Sequence, residues 1–318
     1  MASAAQLAER ARPAREAAGR GAGTAPDRAS RPGPLWVLPG ALYFLVFAVV
    51  PLVLVVLLSF TKWNGVGSPK PLGPANWTRL ASDGAVGNSL KLSAILTALA
   101  WAVQTPVSML LGVWAAGRQR NRAVLSSVFF LPLLLSSVAI ALIFLQLMDP
   151  NFGLPAQLGP KLGFSPNAIL GSGAGALATV VFVVSWQFIP LHTLLYQAGT
   201  RQIPQMLYDA AVIDGASRVQ QFFRITLPQL RNTIATSSVL IVAGSLTYFD
   251  TVLVLTQGGP GTSTDILPYH MYQEGFKAYE MGYASALAVV LVVIGTAVSL
   301  LIVRFSGFAR MRSTLEGI

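Results

Sequence analysis

Six stretches of the chain are apolar enough, and long enough, to cross a lipid bilayer. A helix spanning a hydrocarbon core of about 30 Å needs about 20 mostly apolar residues. Such stretches run over residues 35–60, 92–116, 124–148, 174–198, 233–256 and 283–303. The first and last carry no charge, and the fifth carries a single one, Asp250. The predicted fold class is all-α, a polytopic membrane protein with six transmembrane helices.

Composition sharpens this. Charged residues make up 11% of the 318 and hydrophobic residues 53%, with a mean hydropathy of +0.61. A soluble globule carries about 25% charge to cover its surface, so that class is excluded. Disorder throughout is excluded too, because it requires low hydrophobicity. The chain has no cysteine, which removes disulfides, thiolate metal sites and thiol chemistry.

The net charge of +10 gains meaning only when each basic residue is placed. Arg10, Arg12, Arg15, Arg20, Arg28 and Arg31 precede the first span, and Arg118, Arg120 and Arg122 lie in the second loop. Arg201, Arg218, Arg224 and Arg231 lie in the fourth, and Arg304, Arg310 and Arg312 follow the last span. These regions share one side of a six-span protein and hold sixteen of the 22 Lys and Arg. Positive residues stay inside, so both termini are expected in the cytoplasm. The charge marks a membrane side, and no nucleic-acid partner is expected. Residues 1–34 read as a disordered basic cytoplasmic tail, 35–306 as the six-span domain, and 307–318 as a cytoplasmic C-terminal tail. The first apolar run is too long for a cleaved signal segment.

One long polar stretch faces the cytoplasm, residues 199–232. Pro204 suits the first turn of a helix, and Met206, Leu207, Ala210 and Ala211 follow at helical spacing. Gly215 supplies a residue able to take positive φ at the helix end. Ser217 and Gln220 form an S-x-x-Q capping box, and Val219, Phe222 and Phe223 give the next helix one apolar face, with Pro228 expected to close it. The loop is thus a helix–turn–helix whose exposed apolar face needs a cover, either its own helix ends or a partner. Asp209-Ala210-Ala211, then Gly215, then Ile225, Leu227 and Pro228 stand at the spacing E-A-A-x(3)-G-x(9)-I-x-L-P. This resembles the cytoplasmic loop of ABC importer permeases, with Asp in place of the more usual Glu. The resemblance implies a coupling helix that docks into a groove on an ATPase subunit. The chain has no G-x-x-x-x-G-K-[ST] phosphate loop, so ATP and Mg would be used by the partner ATPase, with no cofactor bound here. The chain is expected to be a transporter subunit and no enzyme.

The fifth span carries the subclass. Phe249-Asp250, Leu255-Thr256-Gln257-Gly258-Gly259-Pro260 and Thr264 resemble the F-D-x(4)-L-T-x-G-G-P-x(3)-T signature of carbohydrate importer permeases, the larger subunit of the maltose and glycerol-phosphate type. Ser59 to Asn64, Phe129 to Pro132, and Tyr269, Tyr272, Phe276, Gly282, Ala284 and Ala286 extend the likeness over about residues 35–305. It implies a type I ABC importer permease fold. The implied partners are a second six-span permease, two ATP-binding cassette subunits, an extracellular solute-binding protein and a carbohydrate substrate. The Gln257-Gly258-Gly259-Pro260 group is a tight turn leaving the membrane, and it is also a candidate contact for the binding protein.

An intramembrane carboxylate is a functional candidate by default, so Asp250 either lines the substrate path or braces a neighbouring helix. Tyr248 and Phe249 add the hydroxyl and aromatic face that a sugar requires, and Gln146, Trp186 and Gln187 are further path candidates. His192 and His270 stand without a second ligand at metal spacing and read as ordinary polar residues. Asp83, Asp149 and Glu274 read as solvated loop acids, and Trp63, Trp77, Tyr269 and Tyr272 as possible membrane-interface anchors. Two rival functions are weighed. A sugar-phosphate ABC permease would call for Arg or Lys at mid-depth, and a stand-alone secondary transporter or channel for ionisable residues deep in the spans or an inverted repeat with broken helices; the sequence shows neither beyond Asp250.

Overall fold

The structure is a computed structural model and describes residues 36–117 and 129–306. The 1–34 and 307–318 tails, Arg118, Arg120, Arg122 and the start of the expected third span lie outside the described residues. Two compact units divide the chain at Val53 and Leu54. The first unit, as described, is the beginning of helix α1 (Leu38–Leu58), with a π-turn at Leu45–Val49. Pro39 sits in its first turn, where a missing N–H is harmless.

The second unit holds the end of α1 and then a two-stranded antiparallel ribbon, β1 (Thr61–Lys62) paired with β2 (Lys70–Pro71). Helices α2 (Ala75–Ser82), α3 (Gly84–Ala116), α4 (Ser137–Leu147) and α5 (Leu154–Leu162) follow. Then come α6 (Gly173–Arg201), α7 (Gln205–Ile213), α8 (Arg218–Gln221), α9 (Arg231–Ser245), α10 (Phe249–Leu255), α11 (Leu267–Tyr272) and α12 (Met281–Ser306). The chain is mostly helical, and the short ribbon is the departure from all-α.

Among the described residues, α1, α3, α6 and α12 are long and apolar enough to cross a membrane. The fifth expected span is two helices, α9 and α10, that meet at a 49° bend. Leu246 N–H and Thr247 N–H bond back only three residues, to Ala243 and Gly244, and the Thr247 hydroxyl also donates to Gly244 O. That hydroxyl competes for a helix carbonyl, which bends the ladder. The third expected span is interrupted as well, with residues 129–134 helical, a break at 135–136, and then α4. Broken helices are therefore present, contrary to the expectation from the sequence.

Between lipid-embedded helices there is no hydrophobic drive, so close packing and polar contacts hold them. Helix α3 answers with Ala100, Gln104, Ser108 and Gly112, a row at i+4 spacing that is buried throughout. It runs against α6, where Ser108 donates to Ile189 O at 3.2 Å and Gln197 donates to Ala115 O at 2.7 Å. The apolar core gathers Leu96, Ile140, Phe144, Val180, Val184, Tyr248 and Val252 from α3, α4, α6, α9–α10.

On the opposite end, buried Asn76 fastens α2 to the segment that leaves α1. Its amide donates to Ser59 O and Thr61 O, each at 2.9 Å, and Trp77 Nε1 donates to Ser59 Oγ. Trp77 is thus an internal brace more than an interface anchor. Asn76→Ala leaves two carbonyls without this donor, the buried Ser59 O at about 1–3 kcal/mol before relaxation and the half-buried Thr61 O at less. A thermal melt of the purified chain is expected to fall by several degrees, and an unchanged melt would show that α2 is not held this way.

Candidate functional site

The 199–232 loop folds as expected. Helix α7 ends on a Schellman motif, with Ala216 N–H on Ala211 O at 2.8 Å and Gly215 N–H on Val212 O at 3.0 Å. Gly215 itself sits at φ +73°. Ser217 and Gln220 form both bonds of the capping box at the start of α8. One expectation fails: Pro228 does not close the second helix. Helix α8 continues through a π-turn, Phe222–Thr226, into Leu227–Gln229, and the chain turns at Leu230. A π-turn shifts the bonding to i−5, as in Leu227 N–H on Phe222 O, so a ring in the following turn displaces fewer ladder bonds than in a regular α-helix.

Tyr208 and Thr226 share a 2.9 Å hydrogen bond that ties α7 to the end of the second helix. Away from that tie the pair is bare: Met206 is 71% exposed, Ile213 86% and Val219 65%. Ala210 is exposed and Ala211 half-buried, with Ile225 and Leu227 half-buried beneath and Pro228 exposed. Asp209 is exposed, accepts from Gln205 Nε2 at 3.2 Å, and shares the rim of a 920 Å³ cleft with Arg201 and Arg218. Exposed apolar side chains beside an acid leave this face of the loop uncovered by the rest of the described chain.

The path candidates divide into two groups. Tyr248 is 3% exposed and turned into the chain's own core. Its hydroxyl lies 3.4 Å from Gln104 Nε2, and its ring lies 6.0 Å from that of Phe188. Gln187 is buried and donates to Ser137 Oγ at 3.1 Å and Leu135 O at 3.4 Å. It bridges the break that precedes α4, a structural post that the sequence does not reveal. Phe249 and Asp250 are half-buried, and Gln146 and Trp186 are exposed. These four keep faces open to whatever lies beside the chain. Asp250 occupies the first turn of α10, where a helix favours negative charge, so the bend itself makes room for a carboxylate within the span. Gln104 was legible as an amide in an apolar span, yet nothing in its neighbours singles it out.

The Gly-Gly-Pro turn is stitched internally. Thr264 Oγ1 bonds Thr256 Oγ1 at 2.8 Å and Gly259 O at 2.9 Å, which explains why the two threonines stand eight residues apart. Tyr269 is buried under the turn and donates to Gln257 O at 2.8 Å. Gly258, at φ +81°, lies against its ring. Gln257 and Pro260 are exposed, whereas Gly258 is buried and Gly259 half-buried. Tyr272 packs on Phe249 and Phe276. Neither tyrosine is an outward anchor.

The acids expected to be solvated are engaged instead. Asp83 caps α3 and accepts from the Tyr283 hydroxyl at 2.8 Å. Glu274 pairs with Arg79 at 2.9 Å, and Arg79 also lies 3.8 Å from the centre of the Tyr283 ring. Asp149 accepts from Asn151 N–H and Phe152 N–H. His270 pairs with Asp265 at 3.1 Å. Each of these partners is remote in sequence or hidden in a turn, so the sequence carries no signal for them.

A helical membrane chain with a two-helix polar loop and a broken span beside a stitched turn is the architecture of an importer permease. Residues 108–310 match the family of binding-protein-dependent transport system inner membrane components, and the chain belongs to that family. It is 32% identical over 277 residues to a probable ABC transporter permease protein, YurN, of Bacillus subtilis (strain 168), covering 86% of this chain and 95% of that one. It is 31% identical to the multiple sugar-binding transport system permease protein MsmF of Streptococcus mutans, over 82% of this chain and 93% of that one. A solved structure of a bacterial ABC transporter involved in import of the acidic polysaccharide alginate shares the fold. One of its chains superposes with a TM-score of 0.74 at 21% identity, covering 87% of this chain and 95% of that chain. The protein is a transport permease of the inner membrane and is not an enzyme.

Proposed function

We propose that this chain is the larger permease subunit of an ATP-driven oligosaccharide importer. It crosses the membrane six times, counting the bent α9–α10 pair and the interrupted third span as one crossing each, with both termini cytoplasmic. It pairs with a second six-span permease, two ATP-binding cassette subunits and an extracellular solute-binding protein. ATP and Mg act in the cassette subunits. The observation that carries this reading is the bare apolar face of α7 and α8 beside Asp209, on a loop carrying the family's spacing. Helix α9 runs from that loop to the bend at 246–248, so a push on the loop reaches the bend through one helix, with Phe249 and Asp250 just beyond it. Asp209, Ala210, Ala211, Gly215, Ile225, Leu227 and Pro228 form the coupling loop in this reading. Phe249, Asp250, Gln146 and Trp186 line the path, with Tyr248 and Gln187 holding it in shape from behind.

A neutral sugar is favoured over a sugar phosphate because Arg201, Arg231 and Arg304 stand at the ends of their helices and Lys91, the eighth residue of α3, precedes the apolar stretch at 92–116. The relatives named for multiple sugars and for arabinooligosaccharides support the same class. Asp250→Asn keeps the shape and removes the charge. A charged acceptor for a sugar hydroxyl contributes about 1.5–3 kcal/mol, so the transport KM for the sugar is expected to rise about tenfold or more. Radiolabelled uptake in reconstituted vesicles reads this directly. Uptake of glycerol phosphate in place of any neutral oligosaccharide would reject the substrate class.

A further inference from the structure

The turn that carries Gln257 to Pro260 is fastened to the helices around it at its far end, by Asp265. One carboxylate oxygen of Asp265 accepts from Ser89 on α3 at 3.2 Å and from His270 Nδ1 on α11 at 3.1 Å. Asn88, the neighbour of Ser89, reaches Thr262 O at 3.5 Å. The other oxygen, Asp265 Oδ1, is buried with no partner among the described residues, and so is His270 Nε2. A largely buried carboxylate with only half its capacity satisfied depends on a neighbouring positive charge.

We propose that His270 and Asp265 form a proton-controlled latch that holds the 257–265 turn against α3 and α11 when His270 is protonated and releases it when the proton leaves. The latch rests on the outward placement of this turn under the function proposed above, and it gives the same turn a sensitivity to external pH. Protonated, His270 supplies both the bond and the charge. Neutral, it removes the positive charge from beside the Asp265 carboxyl group.

The surroundings favour the protonated form at His270. Its hydrogen bond to Asp265 raises the imidazole pKa above the ordinary value, burial opposes this, and the charges of Asp265, Glu274 and Asp83 add to the rise. Glu274 is partly neutralised by Arg79 on α2. Tyr269 precedes it on α11, and Tyr283 on α12 donates to Asp83. The sign follows from a raised pKa in the folded state. The fastening is complete below the unfolded value of about 6.5 and is lost as pH rises through the folded one.

Hydrogen–deuterium exchange on the assembled transporter in nanodiscs, without ligand, tests the latch. Protection of residues 261–267, corrected for the intrinsic pH dependence of exchange, is expected to fall roughly fivefold between pH 6 and pH 8.5. His270→Gln keeps a donor without a titrating charge and is expected to flatten that dependence. Ser89→Ala is expected to lower protection at every pH while leaving the slope intact, which keeps the test valid if the glutamine variant fails to fold. A flat profile in the unmodified chain, or the same slope in His270→Gln, overturns the proposal. Pull-down of the transporter's own solute-binding protein across the same pH range separates the two readings. Intact pH-dependent exchange with pH-independent docking would leave the latch standing and remove this turn from the docking surface.

Discussion

Gly215→Val is expected to abolish sugar uptake while leaving ATP hydrolysis by the assembled transporter running. The glycine closes α7 at φ +73°, a backbone region that costs an L-residue roughly 1–2 kcal/mol and costs a β-branched one more. Nothing lies within 4 Å of where its Cβ would be, so the substitution meets no clash and acts only through the turn. The strain is relieved by opening the Schellman motif, which frees Ala216 N–H and Gly215 N–H and lets α7 swing relative to α8. Tyr208 and Thr226 then separate, and the bare Met206 and Ile213 no longer move as one body with α9. A drop in uptake of about tenfold or more per 1.4 kcal/mol of lost coupling is expected, with the melting temperature of the isolated subunit changed by only a few degrees. Unchanged uptake at normal expression, or loss of uptake and hydrolysis together, would show that Gly215 does not act by coupling.

What the sequence discloses here depends on the range of the interaction. The capping box at Ser217 and Gln220 and the positive φ at Gly215 were legible because each is decided within four or five residues. The apolar runs were legible because the bilayer imposes a length. The bend between α9 and α10 was not legible. Ser245 to Tyr248 contains neither proline nor glycine, and the break arises from Thr247 turning back onto Gly244 while Tyr248 is drawn into the core by Gln104 and Phe188. Gln187 misled for the same reason: its post at the break before α4 lies fifty residues away. The outer acids read as solvated because Glu274 and Arg79 meet across 195 positions. For Gln187 and Glu274 a long-range contact outweighed a local signal, whereas the bend combines the local Thr247 bond with the long-range pull on Tyr248.

The bend also changes what a mid-span acid means. In an unbroken helix Asp250 would face hydrocarbon with its backbone already satisfied, a costly place for a charge. In the first turn of α10 it lies at the end of a helix that favours negative charge. The same bend places Tyr248 inward and leaves Phe249 and Asp250 half-buried, so one break separates a core side chain from two with an open face.

Gly112→Leu is expected to destroy the chain's packing, with the largest loss of stability of any single change considered. At this glycine α3 and α6 approach so closely that an added Cβ would lie 2.6 Å from Tyr196 Cβ and 2.9 Å from both Gln197 N and Thr193 O. Two of those three atoms are backbone and cannot turn aside. Alanine there already forces the helices apart, at about 1–3 kcal/mol for overpacking of one small group, and leucine exceeds that range. Separation at Gly112 propagates along the row, because Ser108 bonds Ile189 O one turn below and Gln197 caps Ala115 one turn above. In lipid no hydrophobic drive re-closes the gap. The expected result is a strongly lowered yield and melting temperature in detergent for Gly112→Leu, and a smaller drop for Gly112→Ala. Gly87→Leu is the control, on the same helix, where nothing lies within 4 Å of the added carbon, and it is expected to melt close to the unmodified chain. A melt for Gly112→Leu equal to that of Gly87→Leu would mean that α3 and α6 do not cross at this glycine.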